Sequence, residues 1–412
     1  MAPEGWRTTK LGNVFKSRRE RAAAGLPTLS VTLNDGLVLR ESLERKTDTN
    51  LSPEEHLLVR KGDLAYNMMR MWQGASGLAQ FDALVSPAYV VLKPSNEIDP
   101  AFASYFFKSA RMIHLFWAYS YGLTSDRLRL YFPDFSLIPA VLPPIEEQRR
   151  IANLLDTWDR AIQIVENLIE NSERRKKALL RLLEGKVRLS GFGAPASDNT
   201  LPVDWKIVSL GKIGKCITGL TYSPADVVGE DSGLLVLRSS NILGSEIAFD
   251  DNVYVSSSVP ATSLTRPGDI LVAVRNGSRN LIGKSAVIDH SAAGMAHGAF
   301  MTLYRSDENY YLSHLFQSRM FFRKVRRNLG ATINSINTSD LHKFGFPFPP
   351  KEERVAIASV LSTAARETTN LRKNLAQLHL EKRALMQQLL TGKRRVNEIR
   401  HAESLTSDRM AR

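Results

Sequence analysis

The chain has 412 residues, a formal net charge of +13 at pH 7 and a single cysteine, Cys216. This length is too great for one ordinary core and fits two domains plus additional helices. The lone cysteine excludes internal disulfides and cysteine-rich zinc sites, and the positive charge favours a polyanionic partner, although a basic protein without such a partner is the alternative.

The opening residues, MAPEGWRTTK, contain no apolar signal core. No run in the chain approaches the roughly 20 apolar residues that a membrane span needs. Together with the scarcity of cysteine, these features predict a cytoplasmic protein that does not associate with a membrane.

Residues 1–143 are predicted to form a first globular unit of mixed α/β structure, in which β-rich runs alternate with polar loops. The stretch FASYFFKSARMIHLFWAYSYG, from Phe102, is predicted to be one helix because of its length and apolar content. Two loops, MMRMWQG from Met68 and GLTSDRLRL from Gly122, hold side chains that suit DNA contacts. The candidate residues are Arg70, Trp72, Gln73, Ser125, Arg127 and Arg129.

A first long helix is predicted over residues 144–186, beginning in LPPIEEQRRIANLLDTWDRAIQ and ending at LLEGK. Proline suits the first helical turn, the acidic pair that follows complements the helix dipole, and Gly185 suits a left-handed cap. Apolar residues recur at heptad spacing, which is typical of a helix that pairs with another, although ordinary core packing is the alternative for a single copy. This seam, which Lys176 interrupts, comprises Ile151, Leu155, Trp158, Ile162, Val165, Ile169, Leu179 and Leu183.

Residues 187–200, which include GFGAPASDNT, are predicted to be a linker, and residues 201–347 a second globular unit. Strands followed by loops are predicted in GLLVLRSSNI, GDILVAVRNGSRNLIG and HGAFMTLYR. Arg suits the guanine edge and Asn the adenine edge in the major groove, but any one polar loop residue is more often a solvated turn. The candidates are Arg238, Ser239, Arg275, Asn276, Ser278, Arg279, Asn280, Asn334, Ser335 and Asn337.

A second long helix is predicted over residues 348–396, from FPPKEERVAIASVLSTAARE to LLTGK, and residues 397–412 are predicted to be a disordered tail. Its seam has the same phase as the first, with its polar interruption at Lys382. The apolar positions are Ile357, Leu361, Ala364, Leu371, Leu375, Leu378, Leu385 and Leu389.

The two halves of the chain repeat one another. Matching places are occupied by Pro143 and Pro349 and by Glu146 and Glu352, and each of these pairs is 206 positions apart. The motifs KGDLAY and PGDILV also occupy matching places. The predicted fold class is therefore mixed α/β: two globular units joined by two long antiparallel helices that form a coiled coil, with pseudo-twofold internal duplication. The loops differ where the framework agrees, which suggests that the two units recognise two different base sequences.

Catalytic signals are weak, and we predict no catalytic, cofactor-binding or metal-binding residues in this chain. LPPI and FPPK superficially resemble the Asn-Pro-Pro-aromatic signature of adenine methyltransferases, but Leu142 and Phe348 replace the Asn that would hold the flipped base. His290 and His297 lack the helical spacing of a zinc pair.

The duplicated units, each followed by a helix that opens with LPPIEEQRRIANLLDTWD or PFPPKEERVAIASVL, resemble the specificity subunit of Type I restriction-modification systems. The GDL and GDIL strands and the terminal LLEGK and LLTGK motifs strengthen the resemblance, which spans roughly residues 5–396. It implies that each unit is a target-recognition domain, residues 1–143 and 201–347, reading one half of a bipartite site in double-stranded DNA.

The resemblance also implies that the helices form a spacer and dock methyltransferase subunits, two in number, which recruit restriction and translocase subunits. S-adenosylmethionine, ATP and Mg²⁺ are then expected on those partners, and this chain is expected not to be an enzyme. The alternatives are a DNA-binding or scaffold protein without sequence specificity and a self-contained methyltransferase or nuclease.

Overall fold

The computed structural model describes residues 3–21, 25–43, 51–124, 126–196, 200–256, 259–329 and 334–396. They fall into two compact units: unit 1 comprises residues 1–167 and 373–412, and unit 2 comprises residues 168–372. The tail predicted to be disordered, residues 397–412, lies outside the described residues.

The described residues of unit 1 form two four-stranded sheets and a two-stranded ladder. One sheet is antiparallel, with the strand order Phe15–Arg18, Tyr89–Pro94, Leu64–Asn67, Ser76–Leu78. The other has the order Leu37–Leu39, Thr28–Val31, Ala83–Val85, Leu57–Val59, and its central pair is parallel. The ladder pairs Arg7–Lys10 with Pro139–Leu142, and the helices before the long one are Leu11–Val14, Pro100–Phe106, Ala110–Ala118 and Phe132–Leu137.

Unit 2 repeats this plan. Its antiparallel sheet has the order Lys215–Thr218, Met301–Arg305, Ile270–Ala273, Ser285–Val287. Its second sheet has the order Val227–Val228, Tyr254–Val255, Leu234–Leu237, Ala296–His297, again with one parallel pair. Two ladders pair Lys206–Ser209 with Gly345–Phe348 and Ile242–Leu243 with Glu246–Ile247, and the short helices are Leu210–Ile213, Asn309–Phe316, Arg319–Asn328 and Thr338–Lys343.

The predicted mixed α/β fold with internal duplication is confirmed, and the three predicted strands of the second half occur at Leu234–Leu237, Ile270–Ala273 and Met301–Arg305. All four residues of Ile270–Ala273 are buried, because the strand lies between two neighbours in the sheet and packs on both faces. This explains why it reads as a continuous apolar run rather than an alternating one.

The single helix predicted from Phe102 is wrong. The chain forms two helices, Pro100–Phe106 and Ala110–Ala118, and Ser109 begins the second by accepting a hydrogen bond at Oγ from the backbone N–H of Met112. The apolar content runs through the break, because both helices bury side chains such as Phe102 and Phe116 in the same core.

The repeated GD motifs place one buried aspartate in each unit. Asp63 accepts hydrogen bonds from the backbone N–H of Arg60 at 3.0 Å and from Arg18 Nε at 2.6 Å. Asp269 accepts from the backbone N–H of Arg266 at 2.9 Å and from Arg305 Nη2 at 2.6 Å. The motif is therefore structural, since each buried carboxylate is satisfied by a turn and by an arginine.

Two long helices, Ile145–Leu179 and Lys351–Leu390, contain 35 and 40 residues. Each contributes residues to both units. In unit 1, Leu155 and Leu389 share one hydrophobic core, and Lys382 forms an ion pair with Asp159. In unit 2, Ser172 and Thr368 form a buried hydrogen bond of 2.8 Å between their hydroxyls. Within each unit the contacts thus run antiparallel, because higher residue numbers on one helix meet lower numbers on the other.

The first long helix ends earlier than predicted, at Leu179, and continues as a 3₁₀ turn over Leu180–Glu184. Gly185 and Gly392 then adopt the left-handed conformation predicted for them, with φ of +70° and +68°. None of the predicted seam positions is exposed. Buried are Ile151, Leu155, Ile162, Leu183, Ile357, Leu361, Ala364 and Leu389; partly buried are Trp158, Val165, Ile169, Leu179, Leu371, Leu375, Leu378 and Leu385.

Among the helices that the structure describes, none is both long enough and apolar enough to cross a membrane.

Candidate DNA interface

In unit 2, three loops that are distant in sequence come together at the end of the strand Ile270–Ala273. The backbone of Arg275 pairs with that of Ser335, and the N–H of Ile336 donates to the carbonyl of Val274 at 2.8 Å. Asn276 Nδ2 donates to Ser239 Oγ at 3.0 Å. This hydrogen bond connects the loop after Leu234–Leu237 to the other two loops. We call Arg238, Ser239, Arg275–Asn280, Phe300 and Asn334–Asn337 loop cluster 2.

Two asparagine side chains of loop cluster 2 form hydrogen bonds that hold the loop, and two others are exposed to solvent. Asn334 Nδ2 donates to the carbonyl of Gly277 at 3.1 Å, and Asn276 Oδ1 accepts from the backbone N–H of Ser278 at 2.9 Å. Asn280 and Asn337 are exposed. Asn276 and Asn334 therefore fix the loop shape, whereas Asn280 and Asn337 point polar groups at solvent.

Two arginines of loop cluster 2 lie in contrasting surroundings. Arg275 is exposed, and its guanidinium carbon lies 5.6 Å from the centroid of the Phe300 ring, within the range of a cation–π contact. Arg238 is half-buried and forms a 2.9 Å ion pair with Asp251. Arg275 therefore presents its charge outward, while the charge of Arg238 is met within the unit.

Phe300 is a residue that the sequence analysis missed. Its side chain is 58% exposed although it follows the buried strand Ala296–His297. An exposed aromatic ring beside an arginine suits stacking against a base or a sugar. The only signal in the sequence was a phenylalanine in the polar segment HGAF, which is too common a pattern to single out.

In unit 1, the predicted loop residues surround a 3₁₀ turn at Met71–Gln73. Trp72 Nε1 donates to the carbonyl of Met69 at 3.0 Å, and Gly74 closes the turn with φ of +88°. Arg70 is exposed, whereas Trp72 and Gln73 are half-buried. Of the three predicted residues of this loop, Arg70 is therefore the most accessible to a partner.

The second predicted loop of unit 1 lies against the first. The N–H of Leu130 donates to the carbonyl of Met68 at 2.9 Å, and Tyr121 pairs with Arg129 through the backbone. Arg127 and Arg129 are both exposed, and Ser125 lies outside the described residues. We call Met68–Gln73 and the described residues of 121–130 loop cluster 1.

One hydrogen bond that joins the loops is equivalent in the two units. The bond from Leu130 to Met68 in unit 1 reappears 206 positions later as the bond from Ile336 to Val274 in unit 2. The backbone frame is thus repeated while the side chains on it are not: Arg70, Trp72 and Gln73 occupy the region where unit 2 has Asn276, Ser278 and Arg279.

The two histidines considered as metal ligands, His290 and His297, lie in different surroundings. His297 is buried, with Nε2 3.0 Å from the carbonyl oxygen of Ile217, and burial lowers its pKa. His290 is exposed. Within the described ranges, no group of three or more His, Cys, Asp and Glu side chains is arranged to hold a metal ion. The prediction that the chain binds no metal or cofactor itself stays a prediction.

The family model of the "Type I restriction modification DNA specificity domain" matches residues 3–174 and again residues 202–379. The chain belongs to this family. It carries two copies of the DNA specificity domain, which accounts for the repeated sheets and the repeated bond between the loops.

Relatives of this specificity family resemble the chain over nearly its full length. The Type I restriction enzyme MjaVIII specificity subunit of Methanocaldococcus jannaschii is 24% identical, and the match covers 96% of this chain and 95% of that protein. The S subunit of a Type I restriction-modification system from M. genitalium has a TM-score of 0.58 at 14% identity, covering 93% and 96% of the two chains. A chain from a study of complex assembly and conformational transition of the type I R-M system has a TM-score of 0.56 at 19% identity, covering 95% and 98%. These likenesses show a shared fold.

Proposed function

We propose that this chain is the DNA sequence-recognition subunit of a Type I restriction-modification complex, and that it reads a bipartite target with one unit per half-site. The observation that carries the proposal is the repeated backbone frame with unlike side chains on it. Two copies of one frame dock on DNA in the same way, whereas different side chains select different bases.

The side chains in the two loop clusters fit this role. Arg70, Arg127, Arg129 and Arg275 are exposed and suit guanine edges or phosphates, and Asn280 and Asn337 suit adenine edges. The predicted set as a whole is proposed as the DNA-contacting surface, with Phe300 added beside Arg275.

Catalysis is assigned to partners. The proposed partners are two methyltransferase subunits docked on the long helices and the restriction and translocase subunits that they recruit. S-adenosylmethionine, ATP and Mg²⁺ would be bound by those subunits. The complex would work on DNA in the cytoplasm, and this chain would itself be non-catalytic.

An exchange of one recognition unit tests the proposal. Residues 1–143 are replaced by the equivalent segment of a family member with a different target, keeping Gln148, because its side chain bonds the backbone of Glu97, Asp99 and Pro143. Methylated positions are then mapped across the DNA of cells that make the hybrid together with its methyltransferase. We expect one half of the methylated sequence to change and the other half to stay as it was.

The reciprocal exchange of residues 201–347 is the matched control and should change only the other half. A hybrid that alters both halves together would contradict the assignment of one unit to each half-site. Methylation without any sequence preference would favour the alternative of a DNA-binding scaffold that does not discriminate between sequences.

A further inference from the structure

The helix Arg319–Asn328 of unit 2 carries a concentrated positive charge. It contains five basic residues and no acidic one, and it buries Met320, Phe321 and Val325. On the other side, positions 319, 323, 326 and 327 fall within an arc of roughly 100° at 3.6 residues per turn. The residues at these positions, all exposed, are Arg319, Arg323, Arg326 and Arg327, which we call the arginine face.

The arginine face adjoins loop cluster 2. Gly283, which follows the loop, lies so close to the helix that an added Cβ would be 3.2 Å from Val325 and 3.3 Å from Phe321. A cleft of about 560 Å³ is lined on one side by Arg279 and Asn280 and on the other by Arg326. The helix and the proposed reading loop therefore form one continuous surface.

The charges of this face have no acidic partner in the part of the chain that the structure describes. Among the residues that the structure describes, none of the four arginines forms an ion pair. A second cleft, of about 850 Å³, is lined by the whole face together with Gln317 and one carboxylate, Glu184. Glu184 is itself 3.8 Å from Lys186. Four neighbouring guanidinium groups repel one another, and an external anion would relieve that repulsion.

The fold does not require this charge, because unit 1 has an equivalent helix without it. Ala110–Ala118 also follows a short helix and lies against the loop region of its unit, with Ile113 3.3 Å from the Cβ position of Gly74. That helix carries Arg111 as its single Arg or Lys, and His114 and Trp117 stack on one another at 5.8 Å. The concentrated charge is therefore present on this helix of unit 2 and not on Ala110–Ala118 of unit 1.

We propose that the arginine face binds the DNA phosphates beside the half-site that unit 2 reads, so that unit 2 supplies more of the sequence-independent affinity than unit 1. This rests on the proposed function. From Arg319 to Arg326 the helix rises about 10 Å, which corresponds to roughly three phosphates of one strand along the duplex axis. Arginine also matches phosphate oxygens in bidentate fashion.

The test neutralises three charges and measures the salt dependence of DNA binding. The full-length variant with Arg323→Gln, Arg326→Gln and Arg327→Gln is compared with the unaltered chain on one 40-base-pair duplex of arbitrary sequence over a series of salt concentrations. Each phosphate contact contributes about 0.9 to the slope of log K against log salt. We expect the slope to become shallower by roughly two to three units, with weaker binding at low salt.

Two controls make the result specific. The triple variant Lys206→Gln, Lys212→Gln and Lys215→Gln removes the same charge from exposed residues of unit 2. Lys215 lies at the end of the sheet opposite loop cluster 2, because it pairs with Arg305 while the strand that leads into the loop ends beside Met301. This variant should keep the slope of the unaltered chain. Replacing the three arginines by lysine should preserve most of the slope, and thermal melting checks that every variant is folded.

The outcomes separate the two proposals. If the unaltered chain fails to bind DNA, the proposed function fails. If it binds DNA with a slope that the arginine variant leaves unchanged, only the role of the arginine face is overturned. Loss of methyltransferase co-purification with an unchanged slope would assign the face to an acidic protein surface and would likewise overturn the proposal.

Discussion

Glu353, an acidic residue in the first turn of the second long helix, is fully buried. Its carboxylate accepts from Arg188 Nη2 at 2.7 Å and from Trp205 Nε1 at 2.9 Å. Arg188 also bonds Asp204 at 2.8 Å, and these carboxylates raise its pKa. The motif that opens the helix thus anchors Arg188, in the predicted linker, and Trp205, which follows it.

Glu353→Gln should destabilise the protein by about 3 kcal/mol, because removing one partner leaves the buried guanidinium of Arg188 poorly compensated. The free energy of unfolding, measured in urea, checks this. The matched control is Glu352→Gln, since Glu352 is adjacent and exposed; it should change stability by less than about 0.5 kcal/mol. Equal effects at the two positions would contradict the role given to Glu353.

His314 is a buried base in unit 2. Its Nε2 lies 3.0 Å from Ser362 Oγ, and burial, together with the nearby charge of Lys176, lowers its pKa to about 4. A histidine in the unfolded chain has a pKa near 6.5. The unfolded state therefore takes up a proton between these two values while the folded state does not.

Stability should consequently fall as the pH drops from about 6.5 towards 4, by up to about 3 kcal/mol from this residue. We expect the urea midpoint to be lower at pH 5 than at pH 7. His314→Gln should lose part of that difference, and the remainder is expected from groups such as His297, whose pKa is also lowered. A pH dependence that the substitution leaves intact would contradict the assignment to His314.

At the scale of elements, the two long helices end in the same way. A Cβ on Gly185 would lie 2.7 Å from Pro202 Cδ, and one on Gly392 would lie 2.4 Å from Pro3 Cγ. Trp205 and Trp6 flank these contacts. The end of each helix is therefore closed by the proline and tryptophan that begin a globular unit.

Gly185→Ala should destabilise unit 2 by roughly 2–3 kcal/mol, because alanine resists the left-handed conformation and its methyl group would overlap Pro202. Gly191 provides the control, since its φ is +92° and nothing lies within 4 Å of an added Cβ. Gly191→Ala should cost only the conformational part, about 1 kcal/mol. Urea denaturation of both variants measures the difference, and equal costs would show that packing on Pro202 adds nothing.

The repeated elements were predictable because their signals are local. Heptad spacing, the acidic first turn and the terminal glycine each lie within a few residues, and Gly185 and Gly392 took the predicted conformation. The break between Phe106 and Ala110 was not predicted, since the apolar content continues across it and only Ser109 signals a new helix.

The candidate site was predictable in composition but not in assembly. Residue type and position in a polar loop were enough to predict Arg275, Asn276 and Ser239 as candidates. The hydrogen bond from Asn276 to Ser239 joins residues 37 positions apart, and no local pattern encodes it. Phe300 and the arginine face were missed because an exposed ring and a charged helix are ordinary features until a neighbouring loop gives them a context.

At the scale of the whole molecule, the duplication preserves the frame while the core changes. The buried aspartates at 63 and 269 occupy equivalent places, but their arginine partners do not. Arg18 lies on the edge strand Phe15–Arg18, whose equivalent in unit 2 is Lys215–Thr218. Arg305 lies instead on Met301–Arg305, the strand that pairs with Lys215–Thr218. In each unit an arginine compensates the buried aspartate, but the two arginines lie on strands that are not equivalent. The aspartates were visible in the repeated GD motif, whereas their partners depend on strand pairing.

Unit 2 is one uninterrupted stretch of chain, whereas unit 1 is assembled from the beginning and the end. During synthesis, the second unit to emerge from the ribosome is therefore the first to have all of its residues. Pro3 and Trp6, which precede unit 2 in the chain, must wait for Gly392, which follows it, before their packing is complete. A chain cut short after unit 2 would thus damage the recognition unit that was synthesised before it.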